Sequence, residues 1–177
     1  MKLNIACGRK IIPGWTNIDL KHGDLQIDVR NGLPFPDSSI DMIFHEHFLE
    51  HLDYPSEANE FIKESWRVLL PNGYMRIGVP DTEYTLRAYV EKNEEYFKRC
   101  RELWHPEWCT TPLESVNFHF RQLGQHKFAY DFDTLEKLLK VSGFSDIVKS
   151  SYKASKLLEL NIDSRSDDGT LWVECHK

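Results

Sequence analysis

Ala58, Phe61, Ile62, Ser65, Trp66 and Leu69 recur at i, i+3, i+4, i+7, i+8 and i+11, which is one face of an α-helix. Ser56 stands where an N-cap belongs, and Pro71-Asn72-Gly73 is a sequence that ends helices. On either side lie short apolar runs of strand length, Ile40–His45 and Tyr74–Val79. A strand, a helix and a strand in succession form a crossover unit, which joins parallel strands in a right-handed sense. This unit fixes the centre of the chain as part of an α/β sheet.

The flanking sequence extends the same pattern. Leu3–Cys7, closed by Gly8, reads as a buried strand, and Thr16–Leu20 and Leu25–Val29 read as two more, each with an acid at or near its C-terminal end. A second amphipathic helix is expected over residues 83–104. A third is expected to begin at Asp133, where Asp133-x-x-Glu136 has capping-box spacing, and to stop at Gly143. Ile147–Tyr152, a polar loop and Leu171–Cys175 close the chain as an antiparallel pair. No repeat or Pro/Gly/Ser linker divides the 177 residues, so residues 1–177 are expected to form one domain.

Composition narrows the function classes. The 22 Lys and Arg against 28 Asp and Glu give a net charge of −6, which disfavours nucleic acid and anionic membranes as partners. No apolar run approaches the roughly 20 residues of a membrane helix. The four cysteines (Cys7, Cys100, Cys109, Cys175) have neither zinc-ribbon nor disulfide-scaffold spacing, and the N-terminus lacks a signal peptide's apolar core. A reducing cytoplasm is the expected location.

In parallel sheets ligands gather at the carboxyl ends of strands, where strand order reverses. Gly8, Asp19, Asp28, the segment His45–His51 and Asp81 all fall at such ends. A carboxylate there can accept from both hydroxyls of a ribose. A glycine without Cβ lets backbone approach a ligand, and a second acid can accept from an adenine amine. Exposed loop acids and an ordinary turn glycine would give the same letters.

The segments Leu3-Asn4-Ile5-Ala6-Cys7-Gly8 and Pro13-Gly14-Trp15-Thr16-Asn17-Ile18-Asp19-Leu20 look like the opening of short class I S-adenosylmethionine-dependent methyltransferases. Leu33-Pro34-Phe35-Pro36-Asp37-Ser38-Ser39-Ile40-Asp41, followed by His47-Phe48-Leu49-Glu50-His51-Leu52, is similar to that family's fourth-strand signature. Glu64–Gly73 resembles its next helix and turn, and Leu135–Phe144 resembles a later helix. The resemblance implies a Rossmann-like, mostly parallel sheet with antiparallel C-terminal strands, and S-adenosylmethionine as cofactor. It places Ala6, Cys7 and Gly8 under the methionine portion, Asp19 on the ribose, Leu20 beside the adenine and Asp28 and Val29 at the adenine edge. His45, Glu46 and His47 would approach the methionine end. Two features depart from the family. Arg9 and Lys10 interrupt the usual glycine loop, and only ten residues separate Gly8 from Asp19, so the first helix is shortened or missing.

His47-Phe48-Leu49-Glu50-His51 also fits the zinc-peptidase pattern H-x-x-E-H. That chemistry needs both histidines on one helix face and a third ligand. Here the segment follows a strand, Asp53-Tyr54-Pro55 interrupts any helix and no motif supplies the third ligand, so no metal is assigned. Methyl transfer needs alignment of a nucleophile and, for some acceptors, removal of a proton, which suits a histidine. The candidates are His47, His51, His119 and His126. His126, in Gly124–Tyr130, is the first choice and His51 the second, although any one of them could simply pack or cap.

Residues 84–130 hold ten of the 22 aromatic residues. They are expected to form a helical lid over a small-molecule acceptor, a sugar among the candidates. The same rings would equally suit a satellite core or a homodimer face. Arg87, Arg99, Arg101 and Arg121 could meet an anionic acceptor or simply face solvent. The alternative to an enzyme is a catalytically silent methyltransferase fold that binds a nucleotide or protein.

Overall fold

The computed structural model describes residues 1–166 and 169–177. Its strands are β1 (Lys2–Ile5), β2 (Thr16–Asp19), β3 (Leu25–Gln26), β4 (Ile40–Glu46), β5 (Leu69–Pro80), β6 (Ser145–Ser150) and β7 (Thr170–His176). They form one sheet in the order β3-β2-β1-β4-β5-β7-β6. Strands β1 to β5 pair in parallel, and β7 runs antiparallel between β5 and β6. The order reverses between β1 and β4, which opens a crevice at their carboxyl ends.

The helices are α1 (Ser56–Val68), α2 (Thr82–Val90), α3 (Glu94–Leu103), α4 (Pro112–Arg121) and α5 (Phe132–Val141). The apolar faces of α1 (Ala58, Phe61, Ile62) and α5 (Leu135, Leu138, Leu139) join Ile5, Ile43, Ile77 and Val173 of the sheet in the main core. On the opposite face Ile12, Trp15, Leu160 and Leu157 come from loops and pack on Phe44 and Trp172. Gly78 makes this possible, because a Cβ there would lie 2.6 Å from the Trp172 ring. Helices α2, α3 and α4 build a third cluster around Ala88, Phe97 and Val116. No helix among the described residues is long and apolar enough to cross a membrane.

The missing first helix has a local cause. Asn4 and Asn17, both buried, bond each other at 2.9 Å, and between them they bind the backbone of Lys10, Ile12 and Trp15. With the turn bonds from Lys10 N to the Cys7 carbonyl and from Trp15 N to the Ile12 carbonyl, they hold the loop 7–15 without an α-helical ladder.

Other expectations need correction. The helix expected over 83–104 is two, because Lys92 sits at φ 55° and the Asn93 side chain accepts from the Tyr96 N–H to cap a new start. Helix α4 was not foreseen, although Thr111-Pro112-x-Glu114 forms a complete capping box. Helix α5 is capped by Asp131 rather than Asp133. Helix α1 has no side-chain cap, and it ends before Pro71 because Leu69 already turns into β5. The third strand stops at Gln26, since Asp28 caps a 3-10 turn over Val29–Asn31. Residues 167 and 168 of the expected polar loop lie outside the described residues.

Candidate active site

The ends of β1 and β2 meet at Gly8 and Asp19. Gly8 lies at φ +53°, and a Cβ there would meet no atom within 4 Å, so its backbone faces open space. Its N–H donates to Asp19 Oδ2 at 3.1 Å, and the Lys21 N–H donates to Oδ1 at 2.9 Å. Each carboxylate oxygen carries a second lone pair, so Asp19 is held in place while it keeps capacity for two hydroxyl donors. Leu20 beside it is 60% exposed, an apolar surface against which a flat base can lie. This cradle fits an adenosyl group. Ala6, at φ 52°, turns the chain into it, and the Cys7 thiol is buried and pushed up by that burial.

The other expected cofactor residues are placed differently. The Asp28 carboxylate is gripped by Arg30, with Nε at 2.9 and 3.1 Å and the terminal nitrogen at 2.7 Å, which holds it below the usual carboxylate range. The Val29 side chain is in the core. Glu46 accepts from Ser164 N, Ser164 Oγ and Arg165 N, and its carboxylate pairs with Lys10 at 3.3 Å. His45 does not reach the crevice. Side chains alternate along β4, and His45 points to the α1 face, where it is fully buried with ring centroids 5.4 Å from Phe61 and 5.9 Å from Phe48. Neither of its ring nitrogens has a partner, and burial pushes it down to about 3, so it is a neutral core residue.

Beyond β4 and β5 the sheet end opens into a cavity of about 360 Å³, lined by His47, Glu50, His51, His119, His126 and Arg165 among others. Tyr96, Trp104 and Phe118 of the helical segment form aromatic walls. This volume is within the range of small-molecule sites. The cavity therefore draws together His47 and both expected bases, His51 and His126, whereas Gly8, Asp19 and Asp28 line the neighbouring strand ends.

Glu50 lies at the centre of the histidines. Its side chain is 1% exposed and neither oxygen has a hydrogen-bond partner. His47 Nδ1, His51 Nε2 and His126 Nε2 approach Oε1 at 3.7, 3.9 and 4.0 Å. Burial pushes the Glu50 carboxyl up to about 8 and His47 down to about 2, and it lowers His126 as well. The backbone explains the convergence. Glu50 closes a 3-10 turn over Leu49–His51, and its carbonyl accepts from Lys127 N at 2.7 Å and Phe128 N at 3.2 Å. This ties the segment that carries His126 to the turn that carries His51.

The outer ring nitrogens are fixed too. His51 Nδ1 lies 3.0 Å from the Gln125 carbonyl, and His126 Nδ1 lies 2.7 Å from the His119 carbonyl. A carbonyl only accepts, so both Nδ1 atoms carry the hydrogen and both Nε2 lone pairs face Glu50. His47 Nε2 meets Thr170 Oγ1 at 2.9 Å. Sequence reasoning missed Glu50 as a site residue, although H-x-x-E-H contained it. Thr170 and Tyr96 offered no sequence signal, because only folding brings them to the cavity.

Comparison with known proteins points the same way. Residues 5–77 match the methyltransferase domain family. A probable S-adenosylmethionine-dependent methyltransferase of Mycolicibacterium smegmatis is 31% identical over 67 residues, 38% of this chain and 23% of that protein. The chain thus matches about a quarter of the length of that curated relative. Among solved structures, a SAM-dependent methyltransferase from Archaeoglobus fulgidus is similar at TM-score 0.63 and 18% identity, over 99% of this chain and 85% of that one. A SAM-dependent methyltransferase of Thermotoga maritima, described as a possible histamine N-methyltransferase, is similar at TM-score 0.58 and 16% identity, over 99% and 81% of the two chains.

Proposed function

We propose that this chain is an S-adenosylmethionine-dependent methyltransferase of class I fold, a reading that the match over residues 5–77 supports, and that it transfers a methyl group to a small-molecule acceptor held in the histidine-lined cavity. The observation that carries the reading is one of adjacency. The Gly8–Asp19 cradle lies at the ends of β1 and β2, and the acceptor-sized cavity opens beyond the neighbouring β4 and β5. Asp19 would hold the ribose hydroxyls and Leu20 would lie along the base. The bound cofactor supplies an electrophilic methyl on sulfur. The chain's own work is then to align an oxygen or nitrogen nucleophile and take its proton.

His126 is the base in this reading, because its Nε2 lone pair faces the cavity while the His119 carbonyl fixes its tautomer. The burial that lowers its basicity keeps it unprotonated near neutral pH. Tyr96, Trp104 and Phe118 suit a flat or sugar-like acceptor, and the net charge of −6 gives nucleic acid no purchase. One observation favours a silent binding module. Lys10 bonds the Ile162 carbonyl and pairs with Glu46, linking the loops on either side of the crevice near the ends of β1 and β4.

The test is methyl uptake from labelled S-adenosylmethionine into pooled small metabolites, sugars and amines included. Wild type should label an acceptor. His126→Ala should lose about 10²–10⁴ in rate while still binding S-adenosylhomocysteine. Cofactor binding by the wild type with no transfer to any pool would favour the silent module.

A further inference from the structure

We infer that Glu50, His51 and His126 form a site for one borderline divalent cation, of which Zn²⁺ is the representative. One ligand atom from each lies within 4.8 Å of the other two. The chemistry of the set is 2-His-1-carboxylate, which suits zinc and its first-row neighbours rather than calcium or magnesium.

Three further observations distinguish this cluster from histidines that merely pack. First, the Glu50 carboxyl is buried without any hydrogen-bond partner, a costly arrangement that a cation would relieve. Second, His51 and His126 each place Nδ1 on a main-chain carbonyl and aim a free Nε2 lone pair inward, as metal-bound histidines do. Third, His51 Nε2 and His126 Nε2 stand 3.9 and 4.0 Å from Glu50 Oε1, too far for hydrogen bonds. Ligand atoms around a tetrahedral zinc are about 3.4 Å apart, so the two Glu50–histidine separations would each close by about half an ångström to hold the ion. The set differs from the H-x-x-E-H pattern, since Glu50 is a ligand in place of His47, and His126 comes from a segment that the Glu50 carbonyl holds in place.

All three residues line the cavity, so the remaining coordination positions open toward whatever occupies it. His47 Nδ1, 3.7 Å from Glu50 Oε1, is the nearest further nitrogen. The binding site stands on this geometry alone. Its role toward an acceptor rests on the methyl-transfer reading: the cation would hold the acceptor oxygen and lower its pKa, taking over the work assigned to His126 as base.

The test uses the untagged full chain, stripped with chelator and titrated with Zn²⁺ and with Co²⁺ as a spectroscopic probe. Wild type should bind one equivalent, develop cobalt d–d absorption and melt at higher temperature with metal. Glu50→Gln and His126→Ala should each weaken Zn²⁺ binding by more than about 100-fold, the upper scale for loss of a mere supporting residue. Circular dichroism checks that each variant is folded, and the exposed His22→Ala should bind as wild type does. Failure of wild type to bind one equivalent, or equal affinity in all variants, overturns the site. Calorimetry with S-adenosylhomocysteine on the same samples separates the two readings. Cofactor binding without metal overturns the metal site alone, and metal binding without cofactor upholds it while removing the methyl-transfer role.

Discussion

Glu50 and His45 are buried ionisable groups five residues apart whose hydrogen-bonding atoms meet nothing, and they tilt stability with pH in opposite directions. Glu50 ionises near 4.5 when unfolded and at about 8 when folded. The folded state therefore binds more protons between those values, and stability falls as pH rises through that window. His45 is protonated below about 6.5 when unfolded but only near 3 when folded, so stability falls as pH drops below 6.5. In chelator-treated protein Glu50→Gln should raise the unfolding free energy by roughly 3 kcal/mol at pH 7, and the gain should vanish toward pH 4.5. Urea melts across pH measure this, and a gain that does not depend on pH would contradict the burial argument. Neither residue's environment was legible in sequence. The letters gave His45 a strand-end position, but strand alternation turned it to the α1 face. Glu50 stood in the H-x-x-E-H letters, but His126, the other histidine beside it, arrives from another part of the chain.

At the scale of elements, most of what was legible rested on local signals, and what depended on distant partners was not legible. The face of α1 was legible because its period of 3.6 lies within one window, whereas Pro71-Asn72-Gly73, expected to end the helix, falls inside β5. The split between α2 and α3 was marked by Asn93, a cap signal overshadowed by the apolar stripe over 83–104, and the start of α4 was marked as locally by Thr111–Glu114. Arg76 belongs to the second kind. It is fully buried in the middle of β5, and nothing near it in sequence explains a charge there. Its guanidinium pairs with Asp163 and Glu174, donates to Ser150 Oγ at 2.8 Å and to the Ser151 carbonyl at 2.7 Å, and lies over the Trp172 ring. These bonds pin the segment between β6 and β7 to the sheet, and that segment continues to Ser164 and Arg165 at the cavity edge. Arg76→Met would leave Asp163 buried and unpaired, so it should cost about 3–5 kcal/mol and expose residues 151–165 to hydrogen exchange. A loss below 1 kcal/mol would mean that the network is not what holds the segment.

Across the whole molecule, the half proposed to bind a nucleoside is written in short strands with acids at their ends, and the cavity proposed for the acceptor is assembled from pieces far apart in sequence. That division follows from the fold. A parallel sheet sets ligand residues at strand ends, each a few letters from an apolar run, so the meeting of Gly8 and Asp19 at the ends of β1 and β2 could be expected from the sequence. The cavity draws on the turn after β4, on α3 and α4, on the loop before α5 and on the start of β7, and only packing brings these together. The family match over residues 5–77 takes in the cradle and the turn after β4, and stops short of the cavity residues from α3 onward. The account as a whole stands on the cradle at the ends of β1 and β2, and calorimetric titration of S-adenosylhomocysteine into wild type and Asp19→Ala tests it most directly. The expected result is a saturable heat for wild type, weakened in the variant by about 1.5–3 kcal/mol, the scale of hydrogen bonds to a charged acceptor. Equal affinity in the two proteins, or no binding by the wild type, would contradict it.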